Sequence, residues 1–144
     1  MFVVDTNILL QAASSDFPDH KRCRDLLERW RGQPTAWYLT WSIIYEFLRV
    51  STHPQVFERS WTFQGAWGFI ESLLASPGLN VLVETPRHAQ VAAQTVKEVS
   101  RLEGNLAHDG HIAILMREHG IRRIHTQDAD FTRFPFLEVV DPLA

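Results

Sequence analysis

Four acidic residues lie beside predicted secondary structure in positions from which their carboxylates could meet. Asp5 directly follows the apolar run Phe2–Val4, and Asp128 comes two residues after a short predicted strand that ends near Thr126. Glu46 lies about one turn into a predicted helix, and Asp109 lies in the first turn of another, where the helix dipole stabilises a carboxylate. Two such charges about 4 Å apart cost about 4 kcal/mol at an effective dielectric constant of about 20. Four of them therefore require a cation or shared protons.

Oxygen ligands of this kind favour hard divalent cations such as Mg²⁺ or Mn²⁺. A metal held there can activate water and shield the charge that develops on a phosphate, so the four carboxylates predict metal-dependent cleavage of phosphodiester bonds. Taken singly, each residue also has a structural interpretation. Asp5 and Asp109 could merely stabilise helix starts. Glu46 could pair with Arg49 three residues later, and Asp128 could close a turn.

Five short predicted strands alternate with amphipathic segments along the chain. The strands are expected at residues 2–4, 36–39, 79–83, 123–126 and 137–140. The segments between them predict helices from 6 or 7, at 19–32 with Asp19 as the N-cap, from 40 or 42 to Pro54, and at 60–75, 86–104 and 105–119. This alternation predicts an α/β fold in which helices flank a central, mostly parallel sheet in three layers, α/β/α. Ligands bind beyond the carboxyl ends of such strands, which is where Asp5 and Asp128 are expected.

Two of the predicted helices carry apolar positions that indicate their buried faces. In the segment 60–75, Phe63 lies on the predicted buried stripe, whereas Trp61 falls off it. Trp61 could pack within the protein or form an interface with a partner. The apolar residues of the segment 86–104 are Val91, Ala92, Val96, Val99 and Leu102.

The composition is that of an ordinary globular protein. The 144 residues, 45% hydrophobic and 22% charged, suit one domain over residues 1–144. The single cysteine, Cys23, excludes an intramolecular disulfide and any zinc site with several thiolates. The N-terminus does not have the pattern of a signal peptide, and no apolar run is long enough to span a bilayer. We therefore expect a cytoplasmic protein that acts without a membrane.

The charge of the chain does not identify its substrate. A net charge of −3 does not by itself indicate a nucleic-acid binder. Twelve of the fourteen basic residues are arginine, the side chain that best makes bidentate contacts with phosphate. Biased codon usage would explain this excess equally well.

Four segments around the acidic residues resemble the motifs of PIN-domain ribonucleases. They are residues 3–9 (VVDTNIL), 42–49 (SIIYEFLR), 108–113 (HDGHIA) and 126–131 (TQDADF). Each motif is weak alone, but together they occur in the family's order over nearly the whole chain. Within the family the resemblance is to VapC-type toxins of bacterial toxin–antitoxin systems, which are small endoribonucleases that use Mg²⁺ or Mn²⁺.

The resemblance implies a catalytic acidic cluster of Asp5, Glu46, Asp109 and Asp128. The implied metal ligands among them are Asp5, Asp109 and Asp128. Asn7 and Thr126 are implied to position water or the neighbouring carboxylates, and Asp130 is a secondary candidate in the loop of Asp128. The implied reaction is hydrolysis of RNA by metal-activated water. The implied partners are a cognate antitoxin and a second copy of the chain in a homodimer.

Three other interpretations remain open from the sequence. A haloacid-dehalogenase-like phosphatase also has an aspartate after its first strand, but it needs a second aspartate where this chain has Asn7. An HD-type phosphohydrolase would use His108 and Asp109, with His111 as a further ligand, but that family is all-helical. A catalytically silent RNA- or protein-binding regulator could have the same fold, although it would gain nothing from four mutually repelling carboxylates.

Overall fold

Five short parallel strands form the central sheet. The computed structural model describes every residue from Met1 to Ala144. Its strands are β1 Phe2–Val4, β2 Trp37–Thr40, β3 Leu79–Leu82, β4 Arg123–His125 and β5 Glu138–Val140. They lie in the order β3-β2-β1-β4-β5, and every neighbouring pair is parallel. The predicted α/β class is confirmed, and the sheet is wholly rather than mostly parallel.

Six α-helices connect and flank these strands. They are α1 Thr6–Ala13, α2 His20–Gly32, α3 Trp41–Ser51, α4 Phe63–Leu74, α5 His88–Glu98 and α6 Leu106–Glu118, and a 3-10 helix spans Ala129–Arg133. From β1 the chain moves outward through β2 to β3, then returns past β1 to β4 and β5. Because parallel crossovers are right-handed, α1–α4 lie on one face of the sheet and α5 and α6 on the other. The two directions diverge between β1 and β4, which makes this the topological switch point of the sheet.

The central strands are apolar because both of their faces are covered. Val3, Val4 and Ile124 are fully buried, which is the pattern of a parallel sheet with helices on both sides. Phe47 of α3 and Cys23 of α2 belong to the same hydrophobic core. This core holds β1 and β4 side by side and so fixes the two strand ends at the switch point.

The N-terminal ends of two helices show how local chemistry decides a cap. Thr40, one of the two residues at which this helix was predicted to begin, caps α3, because its hydroxyl accepts a hydrogen bond from the Ile43 N–H at 3.2 Å. Asp19 holds the N-cap position of α2, as predicted, although its side chain makes no capping hydrogen bond. Its backbone, at φ −94° and ψ 16°, lacks the extended conformation that a capping side chain needs, and its carboxylate instead accepts from Arg22 at 3.3 Å.

Helix α4 begins later than predicted. Thr62 caps it by accepting from the Gly65 N–H at 3.0 Å, so the first helical residue is Phe63. Phe63 is 60% exposed, and the prediction that it faces the core is wrong. Trp61 precedes the helix and packs within the protein, with its ring 5.5 Å from that of Phe69.

Helix α5 ends earlier than predicted, at Glu98 rather than near Gly104. Arg101 and Gly104 adopt positive φ angles of 60° and 64°, which an α-helix cannot continue. Val96, one of the apolar residues of this segment, is exposed. The buried position in this turn belongs to its neighbour Thr95, whose hydroxyl is satisfied by the Val91 carbonyl at 2.8 Å.

The helices are short compared with the thickness of a bilayer. The longest, α2 and α6, have 13 residues each. No helix of the structure is both long enough and apolar enough to cross a membrane.

Candidate functional site

Asp5 forms the floor of the site at the carboxyl end of β1. Its backbone N–H donates to the His125 carbonyl at 3.0 Å and continues the β1–β4 pairing. Carboxylate oxygen Oδ1 caps α1 by accepting from the Thr6 N–H at 2.8 Å. Oxygen Oδ2 accepts from the Thr126 hydroxyl at 2.6 Å and from the Asn7 amide at 3.0 Å. Asp5 is therefore both a helix cap and a carboxylate at the switch point, and the two interpretations of this residue are compatible.

Asn7 and Thr126 tie the loop after β4 to the start of α1. The Asn7 amide donates to Thr126 Oγ1 at 3.0 Å, and Asn7 Oδ1 accepts from the Gln127 N–H at 3.2 Å. Thr126 Oγ1 also accepts from the Asp128 N–H at 2.9 Å. These bonds fix Asp128 relative to Asp5, which is the geometry that a positioning role for Asn7 and Thr126 requires.

Glu46 approaches the same point from α3. The Thr6 hydroxyl donates to Glu46 Oε2 at 3.1 Å and so links α1 to α3. None of the eight ion pairs in the protein involves Glu46, so its suggested pairing with Arg49 is not formed. Glu46 is exposed toward solvent and keeps one oxygen without a protein partner.

Asp109, Asp128 and Asp130 converge from α6 and the 3-10 helix. One carboxylate oxygen of each lies within 4.8 Å of the others. Asp128 caps the 3-10 helix by accepting from the Asp130 N–H at 2.9 Å, so the turn suggested at Asp128 is what brings Asp130 into the group. Asp109 accepts no hydrogen bond from the protein. The structure thus brings together all four predicted acidic residues and gives Asp130 a closer place among them than the sequence suggested.

Crowding and burial favour the protonated form of two of these groups. Burial, followed by the charges of Asp128 and Asp5, raises the pKa of Asp109 to about 7. Burial also raises the pKa of Asp5 to about 6, although hydrogen bonds from Thr126 and Thr6 act to lower it. Both shifts have the sign expected where a negative charge is desolvated and placed beside like charges.

The donor set fits a hard divalent cation. It supplies five carboxylates and no thiolate or amine: Asp5, Glu46, Asp109, Asp128 and Asp130. Such oxygen ligands suit Mg²⁺ or Mn²⁺. Only one of these five carboxylates forms an ion pair: Asp130 lies 4.0 Å from Arg133, and both side chains are exposed. No protein cation therefore neutralises Asp109 or Asp128, and a metal ion could do so.

An open cleft of about 770 Å³ is lined by four of these five carboxylates, all except Asp5, and we call it the acidic cleft. Its lining residues are Ser42, Tyr45, Glu46, Arg49, Asn105, His108, Asp109, Ile112, Asp128 and Asp130. Tyr45 is 61% exposed, and its ring lies 6.4 Å from that of Trp41. Arg49 adds a positive charge to the same wall. An acidic floor with an aromatic and cationic rim suits an anionic chain that carries stacking bases.

The rim residues were not predicted as part of the site, although a signal for them was available. Ser42 and Arg49 lie four residues before and three residues after Glu46, which places them on the same face of a helix. Tyr45 is adjacent to Glu46 and exposed. The helical spacing around Glu46 therefore predicts that Ser42 and Arg49 line the same wall of the acidic cleft.

The two histidines of the third motif, His108 and His111, lie in different environments. His108 lines the acidic cleft, whereas His111 lies outside it, with Nε2 2.8 Å from Glu84. The two do not form a shared metal site. Together with the five-stranded parallel sheet, this arrangement excludes an HD-type phosphohydrolase.

The chain is similar to known ribonucleases over nearly its full length. The PIN-domain family model matches residues 2–137. Ribonuclease VapC48 of Mycobacterium tuberculosis is 31% identical over 140 residues, which cover 97% of this chain and 96% of that relative. A match of this extent includes all four acidic segments.

Two solved structures share the fold at low sequence identity. The VapC20 toxin of Mycobacterium tuberculosis, described as cleaving the sarcin–ricin loop, gives a TM-score of 0.65 at 17% identity and covers 92% of this chain and 93% of its own. VapBC2 from Rickettsia felis, bound to a DNA fragment from its promoter, gives 0.64 at 16% identity, with 96% of both chains covered. At identities this low, the structural similarity establishes a common architecture and nothing beyond it.

Proposed function

This chain belongs to the PIN-domain family, and we propose that it is a divalent-metal-dependent endoribonuclease that acts as the toxin of a type II toxin–antitoxin pair. The observation that carries the proposal is the convergence of carboxylates at the switch point of the sheet. It occurs in a chain that matches a VapC ribonuclease over 97% of its length. The relatives indicate RNA hydrolysis, and the carboxylates offer the chemistry for it.

The proposed metal ligands are Asp5, Asp109 and Asp128, with Asp130 as a supporting carboxylate. The metal, Mg²⁺ or Mn²⁺, would stabilise negative charge on the scissile phosphate and increase the acidity of water. Asp5 suits this role because Oδ1 accepts only the Thr6 N–H and keeps a lone pair. Asp109 suits it because neither of its oxygens is engaged by the protein.

Glu46 is the proposed proton acceptor. Its Oε2 is held by the Thr6 hydroxyl at 3.1 Å, while Oε1 has no protein partner. A carboxylate that is fixed at one oxygen and free at the other can take up the proton that an attacking water loses. Its place on the wall of the acidic cleft supports this role.

The rim of the acidic cleft is the proposed RNA contact. Trp41 and Tyr45 offer exposed rings on which the bases of a single-stranded loop can stack, and Arg49 can contact a phosphate. Such contacts favour unpaired RNA over a duplex, because bases in a duplex are already stacked on one another. The RNA class that provides the loop is left open by these side chains.

The proposed partners are a cognate antitoxin and a second copy of the chain. The Rickettsia felis VapBC2 structure, which shares this fold, supports the antitoxin. We also propose a cytoplasmic location, where RNA is available and the unpaired Cys23 would stay reduced. Residues 1–144 are proposed to act as a single domain.

Cleavage of RNA by the purified protein tests the function. In Mg²⁺ or Mn²⁺, Asp5→Asn and Asp109→Asn should each lower the rate by at least about 100-fold, since disturbing even the supports of a metal ligand costs about 10–100-fold. Asp16→Asn, at an exposed aspartate outside the cleft, is the matched control and should cut at the wild-type rate. Sequencing the new RNA 5′ ends would identify the target in the same experiment.

Two outcomes would contradict this function. Wild-type cleavage by both Asp5→Asn and Asp109→Asn would remove the acidic cleft from the mechanism. Binding of RNA by the wild-type protein without cleavage in either metal would instead favour the catalytically silent regulator.

A further inference from the structure

A second group of potential metal ligands lies outside the acidic cleft. Glu84 follows β3, His88 is the first residue of α5, and His111 lies in α6. One ring nitrogen of each histidine and one oxygen of Glu84 all lie within 4.8 Å of one another. None of the three lines the acidic cleft, and the proposed mechanism uses none of them. We call this group the histidine cluster.

Glu118, a buried carboxylate beneath the histidine cluster, orients His88. The side chain of Glu118 is completely shielded from solvent, and its Oε1 accepts from the Thr85 N–H at 3.0 Å and the Thr85 hydroxyl at 2.6 Å. His88 Nδ1 lies 2.5 Å from Oε2. When the His88 imidazole is neutral and its Nδ1 donates to Oε2, Nε2 keeps a lone pair that can bind a metal.

His111 and Glu84 form the outer side of the histidine cluster. His111 Nε2 lies 2.8 Å from Glu84 Oε1. The rings of His88 and His111 are nearly perpendicular, at 81°, with centroids 5.8 Å apart. Metal–ligand bonds of about 2.0–2.1 Å in a tetrahedral site place ligand atoms roughly 3.3 Å apart. The ligand atoms of the cluster lie within 4.8 Å of one another, so some of these distances would have to shorten when a metal binds. Rotation of the half-exposed Glu84 side chain can shorten them.

We propose that Glu84, His88 and His111 form a second metal site, which binds Zn²⁺ or a similar transition-metal ion. Two imidazoles, one carboxylate and a water molecule make a complete tetrahedral set. The set differs in kind from the acidic cleft, because imidazole suits zinc, nickel and copper whereas carboxylates alone suit magnesium and manganese. The Glu118–His88 pair is the carboxylate–histidine support that metal-bound histidines usually have.

The metal would act as a structural clip. Glu84, after β3, and His88, at the start of α5, lie four residues apart, and His111 lies 23 residues further along, in the body of α6. His111 lies two residues after Asp109 on α6, so the clip would also steady the turn that carries Asp109 into the acidic cleft. The clip stabilises the protein and takes no part in the cleavage itself.

Zinc titration by calorimetry tests the proposal, with the acidic cleft disabled by the double substitution Asp5→Asn/Asp109→Asn. We expect this protein to bind one equivalent of Zn²⁺. Adding His88→Ala or His111→Ala should weaken binding by at least about tenfold, and adding Glu118→Gln, which removes no ligand, should weaken it about 10–100-fold. His53→Ala, at an exposed histidine elsewhere, is the control and should bind as before. Co²⁺ in place of Zn²⁺ should give the visible absorption of a tetrahedral site.

Either of two results would overturn the second metal site. One is the absence of zinc binding by the double variant at micromolar concentrations. The other is equal zinc affinity in the His88→Ala, His111→Ala and His53→Ala proteins. If circular dichroism shows that His88→Ala has unfolded, Glu84→Gln decides, because Glu84 is exposed and the Glu118–His88 pair stays intact. Unchanged zinc affinity in that variant would then contradict the proposal.

Discussion

Asp5 beside the acidic cleft and Glu118 beneath the histidine cluster are almost equally hidden from solvent, at 6% and 5% exposure. Each accepts three hydrogen bonds from the protein. Yet the pKa of Asp5 is raised to about 6, whereas that of Glu118 is lowered. Burial acts against the charge of both, and it prevails at Asp5, where the charges of Glu46 and Asp128 add to it. Glu118 faces His88 instead, and its hydrogen bonds prevail.

The difference in pKa distinguishes a carboxylate that supports the surrounding structure, Glu118, from one that belongs to a candidate metal site, Asp5. A buried carboxylate whose neighbours donate to it is stable as an anion and fixes the groups around it. A carboxylate crowded by others is poorly stable as an anion until a cation arrives. Raised pKa values in a cleft are therefore the better indication of function, and they occur here at Asp5 and Asp109. The comparison predicts that equivalent changes in the two regions will have different consequences.

Removing one hydroxyl from each region gives the largest expected contrast. Thr126→Val deletes the 2.6 Å hydrogen bond to Asp5 and should lower metal-dependent RNA cleavage about 10–100-fold, as loss of the support of a metal ligand does. Thr85→Val deletes the equivalent 2.6 Å bond to Glu118 and should cost about 1–3 kcal/mol of stability while cleavage stays unchanged. Cleavage rates and urea unfolding of both proteins measure this. Equal loss of cleavage in the two variants would break the distinction between the regions.

The exposed aromatic residues allow a second, smaller contrast. Tyr45 on the cleft rim and Phe63 at the start of α4 have nearly the same exposure, 61% and 60%. If Tyr45 stacks on a base, Tyr45→Ala should raise KM about fivefold or more, corresponding to about 1 kcal/mol. Phe63→Ala should leave KM unchanged. Steady-state cleavage of a short unpaired RNA measures both, and a KM effect from Phe63→Ala alone would move the RNA contact to another surface.

The smallest expected effect is on stability without metal. The pKa of Asp109 is raised from 3.8 to about 7 in the folded protein. Between these values the folded state binds more protons than the unfolded state, so the free energy of unfolding decreases as pH rises. Solvent screening of this partly exposed group limits the loss to roughly 1 kcal/mol. Thermal melting in EDTA from pH 4 to pH 7.5 should show a shallower decrease for Asp109→Asn than for the wild type, and identical slopes would contradict the assigned shift.

Much of the fold and of the acidic cleft could be predicted from the sequence, because strand ends have a fixed place in a parallel sheet. Asp5 and Asp128 follow predicted strands, and the motif order placed Asp109 and Glu46 beside them. The catalytic roles of these residues remain predictions. Asp130 was undervalued because its approach depends on the backbone of a 3-10 turn, which has no clear sequence pattern.

The histidine cluster and the helix ends could not be predicted for a different physical reason. His88 and His111 belong to separate helices, and only the packing of α5 against α6 brings them together. Val96 has an apolar side chain at a helical spacing, yet whether that face is covered depends on the neighbouring elements. Patterns along the chain determine local structure, whereas these features depend on tertiary contacts.

Thermal melting with and without Mg²⁺ tests most directly the central claim that these carboxylates hold a divalent cation. At pH 7.5, with Mg²⁺ at about 100 times its Kd, the wild type should gain about 2.7 kcal/mol, which raises its Tm by roughly 5 °C or more. Asp109→Asn should melt above the wild type in EDTA and gain less than half as much from Mg²⁺, because one repelling charge and one ligand are gone. A wild-type Tm that does not change in a large excess of Mg²⁺ or Mn²⁺ would contradict the claim.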